Sequence, residues 1–254
     1  MKLFTLPGVF RPCSDSWLLA DVLRCEPLAP AARVLDLCCG SGVLAVAAAK
    51  HAADVTAVDV SRRAVTATRL NARLNGVSVR ARRGDLFEPV RGERFALIVS
   101  NPPYLPSVDG DRSPRGAARA WEAGPRGRTV LDRVCAEVHD QLLPGGALLI
   151  VHSSVCGEQA TVTALSERGL RTRVVARRRG ALGPRLAARA PSLHERGLLH
   201  GDSAEEELLV IRAERPEVGS ALSDASIDSP AVSTSRPRPR AARPQPRCPP
   251  QPAP

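Results

Sequence analysis

The sequence predicts an α/β protein: a doubly wound, mostly parallel sheet of seven strands, with helices on both faces and an antiparallel strand last. Three observations predict it. Unbroken or nearly unbroken apolar runs, such as Arg33-Val-Leu-Asp-Leu37 and Phe95-Ala-Leu-Ile-Val99, read as strands buried on both faces. Helical stretches separate the early strands, which is what parallel neighbours require. The final two strands, Thr172–Ala176 and Glu207–Arg212, are consecutive, as an antiparallel addition would be.

In chain order, Asp15-Ser16 ahead of Trp17, Leu18, Leu19, Val22 and Leu23 reads as a capped helix. Arg33–Leu37 runs into Cys38-Cys-Gly-Ser-Gly42, and the small residues from Val43 to Ala52 suit a helix packed closely on the sheet. Asp54–Asp59 is the second strand. Ser61 caps a helix that stops at Asn75-Gly76, a pair suited to a left-handed stop. A third strand around Val77–Arg82 leads to Gly84-Asp-Leu-Phe87, and the fourth is Phe95–Val99. Gly127–Leu142 reads as helix, Pro144-Gly-Gly146 as a turn, Ala147–Val151 as the fifth strand and Val155–Arg168 as helix. An Arg-, Ala- and Leu-rich insert, Arg177–Ala204, has no readable role. From about Pro216 the chain turns to Ser, Pro and Arg, ending through Arg236-Pro-Arg-Pro-Arg240. That composition predicts a disordered tail over 214–254, either neutral or able to hold an anionic partner. The expected organisation is a segment and helix over 1–30 packing on a ligand site, a domain over 31–213, and the tail.

Composition narrows the classes. The 254 residues allow one domain of about 200 residues with an ample core. The net charge of +10 comes from 34 arginines against two lysines, alongside abundant Ala, Pro and Gly. So lopsided a ratio reflects genome base composition more than a selected surface, and argues for nucleic acid only weakly. Seven cysteines without a C-x-x-C spacing indicate neither a zinc site nor a disulfide framework. No apolar stretch reaches membrane-spanning length, and Arg11 and Asp15 interrupt any signal-type segment. A soluble, cytoplasmic protein with reduced thiols and no metal is expected.

The chain is organised around Asn101-Pro102-Pro103-Tyr104. Proline cannot continue a central strand, so the sheet stops here, at the strand end where α/β folds place ligands. The Asn oxygen and a proline-fixed carbonyl can accept both hydrogens of a flat NH2 group while Tyr104 packs on its face. An Asn-Pro turn closing a strand would carry the same letters. Three acids at three further strand ends weigh against that reading. Asp59 would take ribose hydroxyls about twenty residues after the first turn. Asp36 opens a turn that lacks G-x-G-x-x-G, and so suits a cation, such as an ammonium or sulfonium, better than a pyrophosphate. Asp85 would accept from an adenine amino group.

Together, Asp36–Gly42, Asp59, Gly84-Asp85-Leu86 and Asn101–Tyr104 resemble the motifs of Rossmann-like class I S-adenosylmethionine methyltransferases that act on nitrogen. Phe10–Leu19 and Ala120–Arg133 resemble the corresponding segments of HemK-type protein-glutamine methyltransferases, so the likeness covers roughly residues 7–213. The resemblance implies S-adenosylmethionine as cofactor, held by Asp15, Ser16, Asp36, Cys38, Gly40, Gly42, Asp59, Asp85, Leu86 and Asn101. It implies catalysis at Asn101, Pro102, Pro103 and Tyr104, and the side-chain amide of a release-factor glutamine as acceptor. The first glycine of the family's turn is Cys38 here. With only about thirty residues before the first strand, the chain resembles the short archaeal and eukaryotic form, whose members work with a small zinc-binding activator subunit.

The chemistry implied is in-line attack of an amide nitrogen on the sulfonium methyl, driven by positioning and needing no strong base. His152 is expected at the surface or the edge of the core. The long connection Leu105–Gly127 is expected to act as a lid, with Trp121 either its aromatic anchor or a residue packing it down. The alternative, amino methylation of adenine or guanine in nucleic acid, would use the same four residues. It is less favoured because no recognition domain or aromatic-interleaved basic patch accompanies them. A non-catalytic cofactor-binding module would have no need of Asn101, and a dinucleotide oxidoreductase is disfavoured by the turn.

Overall fold

The computed structural model describes residues 1–51, 54–107, 116–199 and 205–217. Residues 1–217 form one compact unit. The tail expected over 214–254 lies almost wholly outside the described residues.

The elements are α1 (Ser14–Arg24), β1 (Arg33–Leu37), α2 (Val43–Ala49), β2 (Asp54–Asp59), α3 (Arg62–Leu74), β3 (Arg80–Arg83) and β4 (Phe95–Ser100), followed by α4 (Thr129–Gln141), β5 (Leu142–Ser153), α5 (Glu158–Ser166), β6 (Arg171–Ala181), α6 (Pro184–Ala187), α7 (Ala190–Glu195) and β7 (Glu205–Glu214). They build one seven-stranded sheet in the order β3-β2-β1-β4-β5-β7-β6, parallel except for β7. The expected fold class stands.

Successive residues of each central strand feed opposite cores, which is why these runs are apolar without alternation. Val34, Leu97, Val99, Leu149 and Val151 face the layer containing α1, α2 and α3, against Leu19, Leu23, Ala45, Ala48 and Val65. Leu35, Ile98, Leu148 and Ile150 face the layer containing α4 and α5, against Leu131, Val134, Val138 and Leu165. The alanines of α2 let it sit close to the sheet. The sheet order reverses beside β1 and β4, and there the ends of both strands open a crevice.

Several local readings are corrected. Helix α1 begins at Ser14, and Cys13 precedes it with no side-chain capping bond, so Asp15 and Ser16 lie inside the first turn and are buried. β7, last in the chain and antiparallel as expected, lies inside the sheet, between β5 and β6. Its Leu208–Ile211 run is buried, whereas β6 carries Arg171, Arg173 and Arg177–Arg179, side chains that suit an edge. Pro144-Gly-Gly146 is an irregularity within β5, where the register against β4 shifts. There Gly146 has no room for a side chain between the Phe95 and Leu143 carbonyls. The insert continues β6 to Ala181 and then forms α6 and α7, whose Leu186 and Leu193 make a small core with Val155 and Leu199. His152 is not peripheral. It is fully buried, with Nδ1 beside the Ser153 carbonyl, and burial pushes its pKa down to about 4.

None of the six described cysteines forms a disulfide. Among the described residues, no helix is long and apolar enough to cross a membrane, and no cluster of side chains could hold a metal ion.

Candidate active site

The crevice is built where β1, β2, β3 and β4 end. Cys38 follows β1 in the left-handed region (φ 62°), as do Gly40 (φ 52°) and Gly42 (φ 79°). A Cβ on Gly42 would lie 2.7 Å from the Thr68 side chain, so that glycine admits no replacement without movement. Among the described residues, Cys38 and Leu86 (φ 44°) are the two non-glycine residues with positive φ, and both belong to the expected cofactor set. Backbone strain of this kind concentrates where a binding loop is held in an unusual shape.

Asp36 is fully buried. One oxygen accepts the Ala45 N–H at 2.8 Å, while Oδ1 has no partner. Burial pushes its pKa up to about 8, and the neighbouring Asp59 adds to the rise. A buried carboxyl with an unmatched oxygen is matched by a cation. Asp59 accepts from the Gly40 N–H at 2.9 Å and the Ser61 N–H at 2.8 Å, tying the turn after β1 to the end of β2. Those two bonds leave lone pairs for hydroxyl donors. Asp85 is exposed and forms a two-pronged ion pair with Arg133 of α4, at 2.8 and 3.1 Å. Any adenine contact by Asp85 must share or displace that arginine, which the sequence reading did not anticipate.

At the end of β4, four side chains form one network. The Tyr104 hydroxyl donates to Asp15 Oδ2 at 2.8 Å. Asp15 Oδ1 accepts from the Ser16 N–H at 2.5 Å and from the Ser16 hydroxyl at 3.1 Å. Because that hydroxyl proton is committed, Ser16 Oγ can only accept from Asn101, and it does so from Nδ2 at 3.1 Å. The orientation of the Asn101 amide follows from this: NH2 toward Ser16, Oδ1 without a partner among the described residues. Half-buried Tyr104 is held well above its ordinary pKa by desolvation and by the Asp15 carboxylate beside it, and stays a donor. The Pro102 carbonyl likewise receives no donor from the described residues. Two acceptors at the end of β4 thus have no donor among the described residues.

The chain matches a family profile described as Methyltransferase small domain over residues 1–113. A protein of Methanocaldococcus jannaschii, provisionally described as a protein N5-glutamine methyltransferase, is 35% identical over 182 residues, 70% of this chain and 88% of the relative. This chain belongs to the family of protein N5-glutamine methyltransferases. A release factor glutamine methyltransferase of Geobacter sulfurreducens is 36% identical over 57% of this chain and 53% of its own length, so the chain spans about half of that relative. Among solved structures, the E. cuniculi Mtq2–Trm112 complex, titled as responsible for methylating the eRF1 translation termination factor, superimposes with a TM-score of 0.58 at 24% identity. The match covers 82% of this chain and 99% of that one, and shows the shared fold.

S-adenosylmethionine is the cofactor of this methyltransferase, and the residues present suit it. Asp36 has an unmatched oxygen that would suit a cationic group, Asp59 has lone pairs that would suit hydroxyls, and Cys38, Gly40, Gly42 and Leu86 give the nearby backbone its left-handed turns. Three contributors went unread in the sequence. Thr68 of α3 is buried and donates to the Gly40 carbonyl at 3.2 Å, bracing the turn. Asn71, also buried, donates to the Ser41 carbonyl and pairs with both backbone groups of Phe4, docking the N-terminal segment. Arg128 donates to the Cys156 and Gly157 carbonyls and to Thr161, pinning the loop before α4 to α5. Helix periodicity makes Thr68 and Asn71 inward-facing but does not say what they meet, and Arg128 stands just ahead of α4. Trp121 packs its loop down: its carbonyl accepts from Leu105 at 2.7 Å and Arg185 lies 4.4 Å over its ring. The middle of that connection, 108–115, and with it the expected lid, lies outside the described residues.

Proposed function

We propose that this methyltransferase modifies the side-chain amide nitrogen of a glutamine in a peptide chain release factor, with catalysis by position rather than by a base. The observation that carries the reading is the fixed amide of Asn101, whose Oδ1, like the adjacent Pro102 carbonyl, receives no donor from the described residues. Two acceptors at a sheet edge suit an NH2 group with two hydrogens to give. The cofactor supplies an electrophilic methyl on a sulfonium. Asn101 and Pro102 orient the acceptor nitrogen and, by fixing where its hydrogens point, hold it in line and favour its pyramidalisation. Pro103 stiffens the backbone between them and Tyr104, whose ring stands beside the acceptor.

The proton balance agrees with a neutral acceptor. Asp15 already accepts from Tyr104 and twice from Ser16, so it is not an idle base. Tyr104 stays protonated, burial pushes the Cys38 thiol far up, and His152 sits in the core. Once the nitrogen carries four substituents it is acidic and releases its proton to water. Positioning of this kind is worth up to about 7–11 kcal/mol. A small zinc-binding activator subunit belongs to the same reading, supported by the likeness to a chain solved with a partner, as does a cytoplasmic site of action.

The test is methyl transfer from labelled S-adenosylmethionine to purified release factor, beside bulk RNA and a factor whose acceptor glutamine is replaced by alanine. Label in the intact factor alone is expected. Label in RNA would instead establish nucleic-acid amino methylation. Asn101→Ala is expected to lower kcat about 10²–10³-fold while leaving cofactor affinity nearly intact. Asp59→Asn should reverse the pattern, weakening cofactor binding by about 1–3 kcal/mol in calorimetric titration.

A further inference from the structure

The insert that the sequence left unread clamps the loop following Tyr104. Arg185 stacks on Trp121, Arg189 pairs with Glu122 at 2.6 Å, and Arg196 donates to the Ser107 carbonyl at 3.1 Å and to the Pro125 carbonyl. The two arms of the loop are themselves joined: Leu105 bonds Trp121 and Ala123 through the backbone, and the Ser107 N–H donates to the Gly124 carbonyl at 2.8 Å. Between this clamped loop and α7 lies a cavity of about 170 Å³. One water needs roughly 10–15 Å³ on such a measure, so there is room for a larger group.

The lining is specific in character. Pro106, Ala188, Pro191 and Leu193 make apolar walls. Two lining residues carry buried polar atoms without partners, Ser107 Oγ and Arg189 Nε. Buried polar atoms are rarely left bare, because each costs about 1–3 kcal/mol. The charge of Arg189 is already met by Glu122, both residues being largely buried, and the other cation of the lining, Arg196, is turned onto the Ser107 and Pro125 carbonyls. Of the lining's polar atoms, the two that are buried without partners are one N–H donor and one hydroxyl that can give or take.

We propose that this cavity is a subsite for the main chain of the substrate segment flanking the methyl acceptor. It takes an uncharged peptide group whose carbonyl oxygen accepts from Arg189 Nε–H and whose N–H donates to Ser107 Oγ. The inference rests on the acceptor being a residue of a polypeptide. Ser107 follows Tyr104 by three residues on the same strand of chain, so a peptide whose side chain reaches Asn101 passes along this loop. The insert is then a specificity element, and Ser107 and Arg189 are positioning residues for the protein substrate.

The test pairs binding with kinetics in the full chain. The probe is N-acetylglycinamide, a single peptide unit with a blocked end, titrated while the Arg189 Nε–H resonance is followed by ¹⁵N NMR. A saturable shift is expected in the wild type and not in Ala188→Trp, which fills the cavity from its exposed rim. The same variant should raise KM for the protein substrate about tenfold, with kcat and cofactor affinity unchanged, and Ser107→Ala should do so more weakly. A resonance that the probe leaves unmoved in the wild type, or an unaltered KM in Ala188→Trp, overturns the subsite. A wild-type chain that binds the probe at Arg189 yet methylates no release factor supports the subsite and counts against the proposed substrate.

Discussion

Ser16 and Cys38 show how single residues set the site. The Ser16 hydroxyl, by giving its proton to Asp15, dictates which end of Asn101 faces outward. No motif records that dependence, since a serine in the first turn of a helix reads as a cap. Cys38 stands at φ 62°, a conformation costing a side-chain-bearing residue roughly 1–2 kcal/mol. Cys38→Gly is therefore expected to fold at least as well and to bind the cofactor undiminished. Cys38→Val, β-branched in the left-handed region, should lose stability relative to it by about 2 kcal/mol or more. Thermal unfolding of the two variants side by side, followed by cofactor titration, checks this.

At the scale of elements, α1 and α3 do for the site what the strand ends cannot. Strand ends deliver carboxylates to one edge, but the N-terminal segment must be held down to bring Asp15 and Ser16 over Asn101. Asn71 does this from α3 with three buried or part-buried hydrogen bonds, two of them to Phe4. Asn71→Ala is expected to cost about 1–3 kcal/mol. It should speed amide hydrogen exchange in residues 1–10 far more than in β1 or β4 and lower kcat through a loosened Asn101. Equal exchange across the sheet would show that the segment is held by other contacts. The strand ends and glycine turn were readable because period and residue type declare them. The docking was not, because it joins residues 67 apart through one side chain whose partners only folding brings near.

For the molecule as a whole, two buried titratable groups set opposing pH limits on the cofactor-free fold. Asp36 has its pKa raised from 3.8 to about 8, so its favourable contribution is complete below pH 4 and is lost as pH rises toward 8. His152 has its pKa lowered from 6.5 to about 4, so the fold loses stability as pH falls from 6.5 toward 4. Between pH 6.5 and 8 only the first acts, and stability of the apo chain should fall across that window. Asp36→Asn is expected to flatten the decline, and saturating S-adenosylmethionine to reduce it by giving the carboxylate a cation. Thermal melts at several pH values, with and without cofactor, measure both.

The sequence by itself determined the α/β class, the strand ends, the acids placed on them and Asn101–Tyr104, because each depends on local periodicity or on residue type at a fixed spacing; the nitrogen-methylating chemistry came from the likeness of those motifs to a family. The tertiary structure alone decided the place of β7 inside the sheet, the orientation of Asn101, the claim of Arg133 on Asp85 and the use of the 182–199 insert. Those depend on which distant groups share hydrogen bonds once the chain is packed, and a linear pattern does not encode a partner.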